Sequence, residues 1–314
     1  MAEGRTVTVV GAGNVGSNTA RRIAERDYAD EVVLIDIVEG LPAGLALDIA
    51  QSAPVEGFDA RVRGTNDYAD TAESDVVVIT AGLPRQPGMS RMDLLDKNSE
   101  IVTSVTEQIA GHSPNAVIIV VSNPLDEMTY LASVVSGFPK ERVLGMAGVL
   151  DSARLRYFIA DKLEVPPAQV EAMTLGSHGD QMVALPRQAT VNGKPLNELL
   201  GAEALEELFT RTRDGGAEIV GLLKKGSAFY APSAAAAKMV NAVLADSKEV
   251  LPACAWTTGQ YGISDVYLGV PVVLGSGGVA EIVELDLNDS ERTSLQEAAE
   301  AIRVKCKELE VRRT

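Results

Sequence analysis

The chain has 314 residues, 46% hydrophobic, 23% charged and 4% aromatic, which excludes wholesale disorder and suggests one large α/β unit or two packed domains. Acidic residues number 44 against 28 Lys plus Arg, and the formal net charge of −16 argues against a nucleic-acid partner, which calls for a basic footprint. Two cysteines make no disulfide framework, two histidines are too few for a His-rich metal site, and no uncharged stretch supplies the roughly 20 apolar residues of a membrane span.

In chain order, residues 6–10, 31–37, 75–80, 116–121 and 142–144 read as strands rich in Val and Ile. Such continuous apolar runs suit strands buried on both faces of a parallel sheet. Helical patterns lie between them at 16–26, 44–52 and 94–110, so the first half is expected to form a doubly wound sheet with right-handed crossovers. The second half changes character. Asp151 is expected to cap a helix over 152–163 that stops before Pro166-Pro167. Asn192-Gly193, within 189–196, signals a hairpin. Two long helical stretches follow, 202–225, loosened by Gly215-Gly216, and 233–247, with Pro232 marking the break. Residues 267–274 and 279–285 read as another hairpin, and Asp289 or Ser290 opens a last charged helix. A boundary near Val149 divides the chain into 1–149 and 150–314, with no Pro/Ser-rich linker to mark it.

The strongest motif is Gly11, Ala12, Gly13, Asn14, Val15 and Gly16, which follows the first strand directly and opens a helix. Gly11 allows the tight turn, Gly13 lets a pyrophosphate approach the backbone, and Gly16 permits close helix–strand packing. The helix N-terminus then offers free N–H groups and partial positive charge to phosphates. Asp36 stands about twenty residues past the last glycine, where a carboxylate accepts from a ribose 2′-hydroxyl. A 2′-phosphate there would meet like charge, and the neighbouring Ile37 offers it no cation, so NAD is expected rather than NADP. The fold class expected is therefore α/β, a doubly wound Rossmann-type parallel-sheet domain followed by a mixed α+β domain that binds substrate.

Hydride exchange between an alcohol and a carbonyl also needs a proton acceptor. No Tyr is followed four positions later by Lys and no HExxH occurs; two Cys and two His do not build a dehydrogenase zinc site, so no metal is expected. Histidine becomes the leading acid–base candidate. His178 sits between glycines in Gly176-Ser-His-Gly-Asp180, after an extended run over 170–175, whereas His112 reads as a helix-terminal surface residue. Its ring needs an orienting acceptor, for which Asp180 is near in sequence and Asp151 is the long-range alternative; spacing alone leaves both open. Asp151 and Arg154, three apart at a helix start, share a face, so one can orient a base while the other grips a carboxylate. The stretch Gly82-Leu-Pro-Arg-Gln-Pro-Gly-Met-Ser-Arg91 follows the third predicted strand, where ligands of open α/β sheets bind. Its prolines and glycines suit a closing lid, and its arginines, Arg85 and Arg91, suit an anionic substrate.

Together with Val121-Ser-Asn-Pro124 and Leu150-Asp-Ser-Ala-Arg154, these motifs resemble the malate/lactate dehydrogenase superfamily over essentially the whole chain. Within it they are most similar to the lactate-dehydrogenase-like malate dehydrogenases. The resemblance implies that His178 is the proton acceptor and Asp151, rather than Asp180, its partner. It implies that Arg154 clamps the first carboxylate of the substrate and that Arg91, on the closing loop, polarises the reacting carbonyl. Asn123 is placed near substrate and nicotinamide, with Asn98 and Val121 beside the cofactor. Arg85 falls at the family's specificity position, where lactate dehydrogenases usually carry Gln. A second carboxylate buried there without a partner would cost several kcal/mol, so Arg85 implies malate and oxaloacetate.

The activity implied is reversible, NAD-dependent oxidation of malate. The runner-up is a lactate or other 2-hydroxyacid dehydrogenase, and a non-catalytic NAD(H)-binding sensor stands further off. A small dicarboxylate is expected as substrate, with no nucleic-acid or membrane partner. The resemblance also implies a homodimer or homotetramer, and the N-terminus lacks a signal-peptide pattern, so a cytoplasmic location is expected.

Overall fold

The apolar runs of the first half become strands because each is covered on both faces. They are β1 (Thr6–Val10), β2 (Glu31–Ile35), β4 (Val76–Ile79), β5 (Val117–Val120) and β6 (Val143–Gly145), and every residue of β4, β5 and β6 is buried. A further strand, β3 (Arg61–Thr65), completes the parallel order β3-β2-β1-β4-β5-β6. Helices α1 (Asn14–Ala24), α2 (Leu41–Glu56), α3 (Arg91–His112) and α4 (Leu125–Ser136) connect them, giving the doubly wound arrangement expected. The computed structural model describes residues 4–83 and 91–313, and for residues 91, 92, 312 and 313 the backbone alone.

The second half comprises α5 (Gly148–Leu163), β7 (Val170–Glu171), β8 (Thr174–Gly176), β9 (Met182–Ala184), β10 (Thr190–Val191), β11 (Lys194–Pro195) and α6 (Leu196–Leu199). Then come α7 (Ala202–Leu223), α8 (Tyr230–Leu244), β12 (Val250–Thr258), β13 (Ser264–Gly275), β14 (Gly278–Ile282) and α9 (Asp289–Arg313). Both expected hairpins form: β10–β11 around Asn192 and Gly193, both at positive φ, and β13–β14. The sheet does not stop at β6. Cys254 of β12 pairs antiparallel with Gly145, and β13, β8 and β9 extend the same sheet beyond it. The two halves therefore share hydrogen-bonded sheet, which accounts for the missing linker.

Several elements differ from the sequence reading, each for a physical reason. Arg61-Val-Arg-Gly-Thr looks too polar for a strand, but β3 is the sheet edge, where charged residues are at home. Strand β12 is buried through its middle yet small-residue-rich and Pro-containing, so its pattern is weak. The extended run over 170–175 splits into β7 and β8, which belong to different sheets. Helix α7 runs unbroken through Gly215-Gly216, and the break before α8 falls at 224–229, leaving Pro232 in the first turn of α8. Asp151 is not a cap. Helix α5 already begins at Gly148, which packs so closely on Pro252 of β12 that a Cβ would lie 2.7 Å from the proline ring. Asp151 is thereby turned inward, to 2% exposure.

Candidate active site

The carboxyl ends of β1, β2, β4 and β5 converge on one crevice, as expected for an open α/β sheet. At the end of β1, a Cβ on Gly16 would sit 1.8 Å from the carbonyl oxygen of Gly11, and Gly11 itself has φ +101°. Only glycine fits either place. Gly13 is different: a Cβ there would meet nothing within 4 Å, so the fold alone does not require glycine. That open space at the N-terminus of α1 is where a pyrophosphate would approach. The first turn of α1 contains no acidic side chain and its N-cap no side-chain hydrogen bond, which leaves its N–H groups to an anion. Ala12 and Asn14 line the same turn, and Val15 packs against the core beneath it.

Asp36 follows β2 directly. Its Oδ2 accepts from the Ala12 N–H at 2.6 Å and its Oδ1 from the Val38 N–H at 2.9 Å. The carboxylate is thus locked against the glycine turn with lone pairs remaining on both oxygens, an arrangement that fits a ribose diol and disfavours a phosphate. These residues fit NAD.

Across the crevice, the loop after β8 carries His178. Its Nδ1 lies 2.8 Å from Oδ2 of Asp151, while Oδ1 of Asp151 accepts from Arg154 at 3.2 Å. One buried carboxylate thus binds an imidazole and a guanidinium, and Asp180, which is exposed, does not hold the ring. Burial lowers the affinity of the imidazole for a proton, but the charge and hydrogen bond of Asp151, with help from Asp126, prevail and raise its pKa above 6.5. Arg154 is largely enclosed, and its Nε is buried with no acceptor among the described residues. A buried N–H of this kind calls for an anionic partner. His112 lies at the end of α3, its Nδ1 near the Gln108 carbonyl at 2.8 Å, away from this cluster.

Asn98 is almost fully buried, and its side chain ties the crevice wall together. It accepts from the Leu83 N–H at 2.8 Å and donates to the Leu83 carbonyl at 3.2 Å and the Asn123 carbonyl at 2.6 Å. It therefore joins the segment after β4 to the segment after β5. Asn123, next to the cis bond preceding Pro124, is exposed just past the carboxyl end of β5, and Val121 is buried with its N–H on the Ile79 carbonyl. Arg85 and the rest of 84–90 lie outside the described residues. Arg91 opens α3, and its side chain also lies outside them.

Two groups around this site escape the sequence reading. Asp126, in the first turn of α4, accepts from the main-chain N–H of His178, although an acidic residue at a helix start ordinarily reads as solvated. Gly215 and Gly216 do not loosen α7 but let it approach Arg154. A Cβ on Gly215 would lie 3.2 Å from the Cδ of Arg154, and one on Gly216 would lie 3.5 Å from its guanidinium.

Comparison with known proteins matches residues 5–145 to the lactate/malate dehydrogenase NAD-binding domain and residues 148–311 to the lactate/malate dehydrogenase alpha/beta C-terminal domain. The malate dehydrogenase of Chloroherpeton thalassium is 55% identical over 303 residues, which is 96% of this chain and 98% of that protein. Among solved structures, the malate dehydrogenase of Salinibacter ruber superposes with a TM-score of 0.94 at 51% identity, covering 98% of each chain. The lactate dehydrogenase of Cryptosporidium parvum, complexed with lactic acid and NAD, gives 0.95 at 42% identity, covering 99% of each chain.

Proposed function

Because the chain belongs to the lactate/malate dehydrogenase family, we propose that its crevice carries out the reversible, NAD-dependent oxidation of malate to oxaloacetate, with the following residues in charge. When bound, NAD supplies the acceptor for the hydride leaving C2 of malate and, as NADH, the donor for the reverse reaction. The observation that carries the assignment of roles is the buried Asp151 carboxylate, shared by His178 and Arg154. With Nδ1 held by Asp151, the Nε2 of His178 is the atom left to take the hydroxyl proton of malate or return it to oxaloacetate. The adjacent carboxylate stabilises the imidazolium formed on oxidation. Arg154, with its unsatisfied Nε, grips the carboxylate next to the reacting carbon.

Arg91 is assigned to polarising the carbonyl and Arg85 to the second carboxylate, from their places in the sequence. Gly11, Ala12, Gly13, Asn14, Val15, Gly16 and Asp36 are assigned to the pyrophosphate and ribose, Asn98 and Val121 to the cofactor, and Asn123 to the nicotinamide and substrate. The division into a cofactor half, 1–149, and a substrate half, 150–314, falls in the first turn of α5. We place the enzyme in the cytoplasm, a location supported by two unpaired, buried cysteines, Cys254 and Cys306. No helix among the described residues is long and apolar enough to cross a membrane. The assembly proposed is a homodimer or homotetramer.

Substrate choice is tested by initial rates with oxaloacetate and pyruvate. Oxaloacetate should be strongly preferred, and Arg85→Gln should cut that preference by about a hundredfold or more, since a buried unpaired carboxylate costs several kcal/mol. Unchanged discrimination in the variant would remove Arg85 from the site.

A further inference from the structure

The peptide unit between Gly11 and Ala12 is held at both ends by side chains from other strands. Its carbonyl oxygen, on Gly11, accepts from the hydroxyl of Thr80 at 3.1 Å, and its N–H, on Ala12, donates to Oδ2 of Asp36 at 2.6 Å. Thr80 directly follows β4 and Asp36 directly follows β2, with β1 between those strands in the sheet. The Asp36 contact belongs to the cofactor site described above, whereas Thr80 has no part in it so far.

The surroundings of the Thr80 hydroxyl direct it to the Gly11 carbonyl. The hydroxyl also lies 2.9 Å from the Val10 carbonyl, but that oxygen already accepts the main-chain N–H of Thr80 at 2.8 Å. The Gly11 carbonyl receives no other hydrogen bond among the described residues. Two glycines of the turn make room for the same atom. A Cβ on Gly11 would lie 2.8 Å from Oγ1 of Thr80, and one on Gly16 would lie 2.7 Å from it. Gly11, at φ +101°, has no Cβ to bias the peptide that follows, so the orientation of that plane depends on the partners at its ends. A trans peptide is a rigid plane, and turning its carbonyl away from Thr80 also turns the Ala12 N–H away from Asp36. Donation to the carbonyl further polarises the unit and strengthens its N–H as a donor.

We propose that Thr80 is a positioning residue for the cofactor: its hydroxyl fixes the Gly11–Ala12 peptide, and that peptide sets the carboxylate of Asp36 for the ribose hydroxyls. The inference rests on the reading of this crevice as an NAD site.

The test compares Thr80→Val, which keeps the shape without the hydroxyl, with Thr80→Ser, which keeps the hydroxyl, each alone and in combination with Asp36→Ala. NADH dissociation constants of the whole-chain enzyme are measured by fluorescence titration, and kcat and the KM for oxaloacetate at saturating NADH. Thr80→Val should weaken NADH binding about tenfold, the scale of one hydrogen bond. Its kcat and oxaloacetate KM should stay within about twofold of the parent, because the loss falls on cofactor binding alone. Thr80→Ser should bind NADH within about threefold of the parent. With Asp36→Ala already present, Thr80→Val should cost less than about twofold more, since the two act as one unit. A full additional loss in that background means that Thr80 does not act through Asp36 and overturns the proposal. Equal losses in Thr80→Val and Thr80→Ser point to packing of the methyl group and overturn it too, as does parental affinity in Thr80→Val. If the parent itself binds no NADH, the reading of the crevice fails and takes this inference with it. Should Thr80→Val not fold, Thr80→Ala takes its place in the same cycle with the same expectations.

Discussion

Asp151 is 2% exposed and is shared by a guanidinium and an imidazole, and its effect on His178 has a sign that kinetics can read. Removing the proton from malate requires neutral imidazole, and protonating oxaloacetate requires imidazolium. The raised pKa of His178, the proposed proton acceptor, moves the acid limb of malate oxidation to higher pH than an ordinary imidazole would give, and oxaloacetate reduction falls as pH rises through the same limb. Asp151→Asn removes the charge that holds the proton, so the inflection should move down while kcat drops by about a hundredfold or more. Profiles of kcat/KM in both directions, in which the variant titrates where the parent does, would show that Asp151 does not set this pKa.

At the scale of the element, α7 shows why a helix tolerates two consecutive glycines. They cost helix propensity, but at this place they leave room for Arg154 against the helix backbone. Gly216→Ala adds a methyl group at ordinary contact distance and should stabilise the helix by about 1 kcal/mol with little kinetic effect. Gly216→Val instead crowds the guanidinium and should raise the KM for oxaloacetate about tenfold or more at unchanged NADH affinity. Thermal melts and steady-state kinetics of the pair separate these outcomes; equal KM values for the two variants would mean that α7 does not position Arg154. Helix α5 supplies the complementary case. Its start at Gly148, set by packing on β12, rotates Asp151 from a solvated cap into the site.

Across the whole molecule, the net charge of −16 coexists with a site meant for a dianion. The resolution is local field: Arg154 faces the crevice, and Arg85 and Arg91 belong to the segment that follows β4. Large apolar side chains are also exposed on α2 and at the end of α7, among them Leu47 at 59%, Val55 at 86% and Leu222 at 75%. These side chains offer apolar surface to the proposed self-association. Sedimentation at micromolar concentration should give two or four copies of the chain, and a monomer would contradict the proposal.

Much of this protein is determined by sequence alone. Buried parallel strands announce themselves as Val- and Ile-rich runs, and the glycine turn and Asp36 act through local backbone geometry at fixed spacing. With two histidines in the chain, inventory narrows the proposed proton acceptor to one of them. The partner of that histidine is another matter. By spacing alone Asp180 and Asp151 both stay open, and it is a strand packed on Gly148 that turns Asp151 inward onto the ring. Asp126 has no local signature at all, since an acidic residue at a helix start looks solvated unless another element buries it. Edge strand β3 and the fused sheet at β6–β12 are likewise tertiary decisions. Chemistry confined to neighbouring residues is written in their order; burial and charge pairing across the fold exist only once the elements meet.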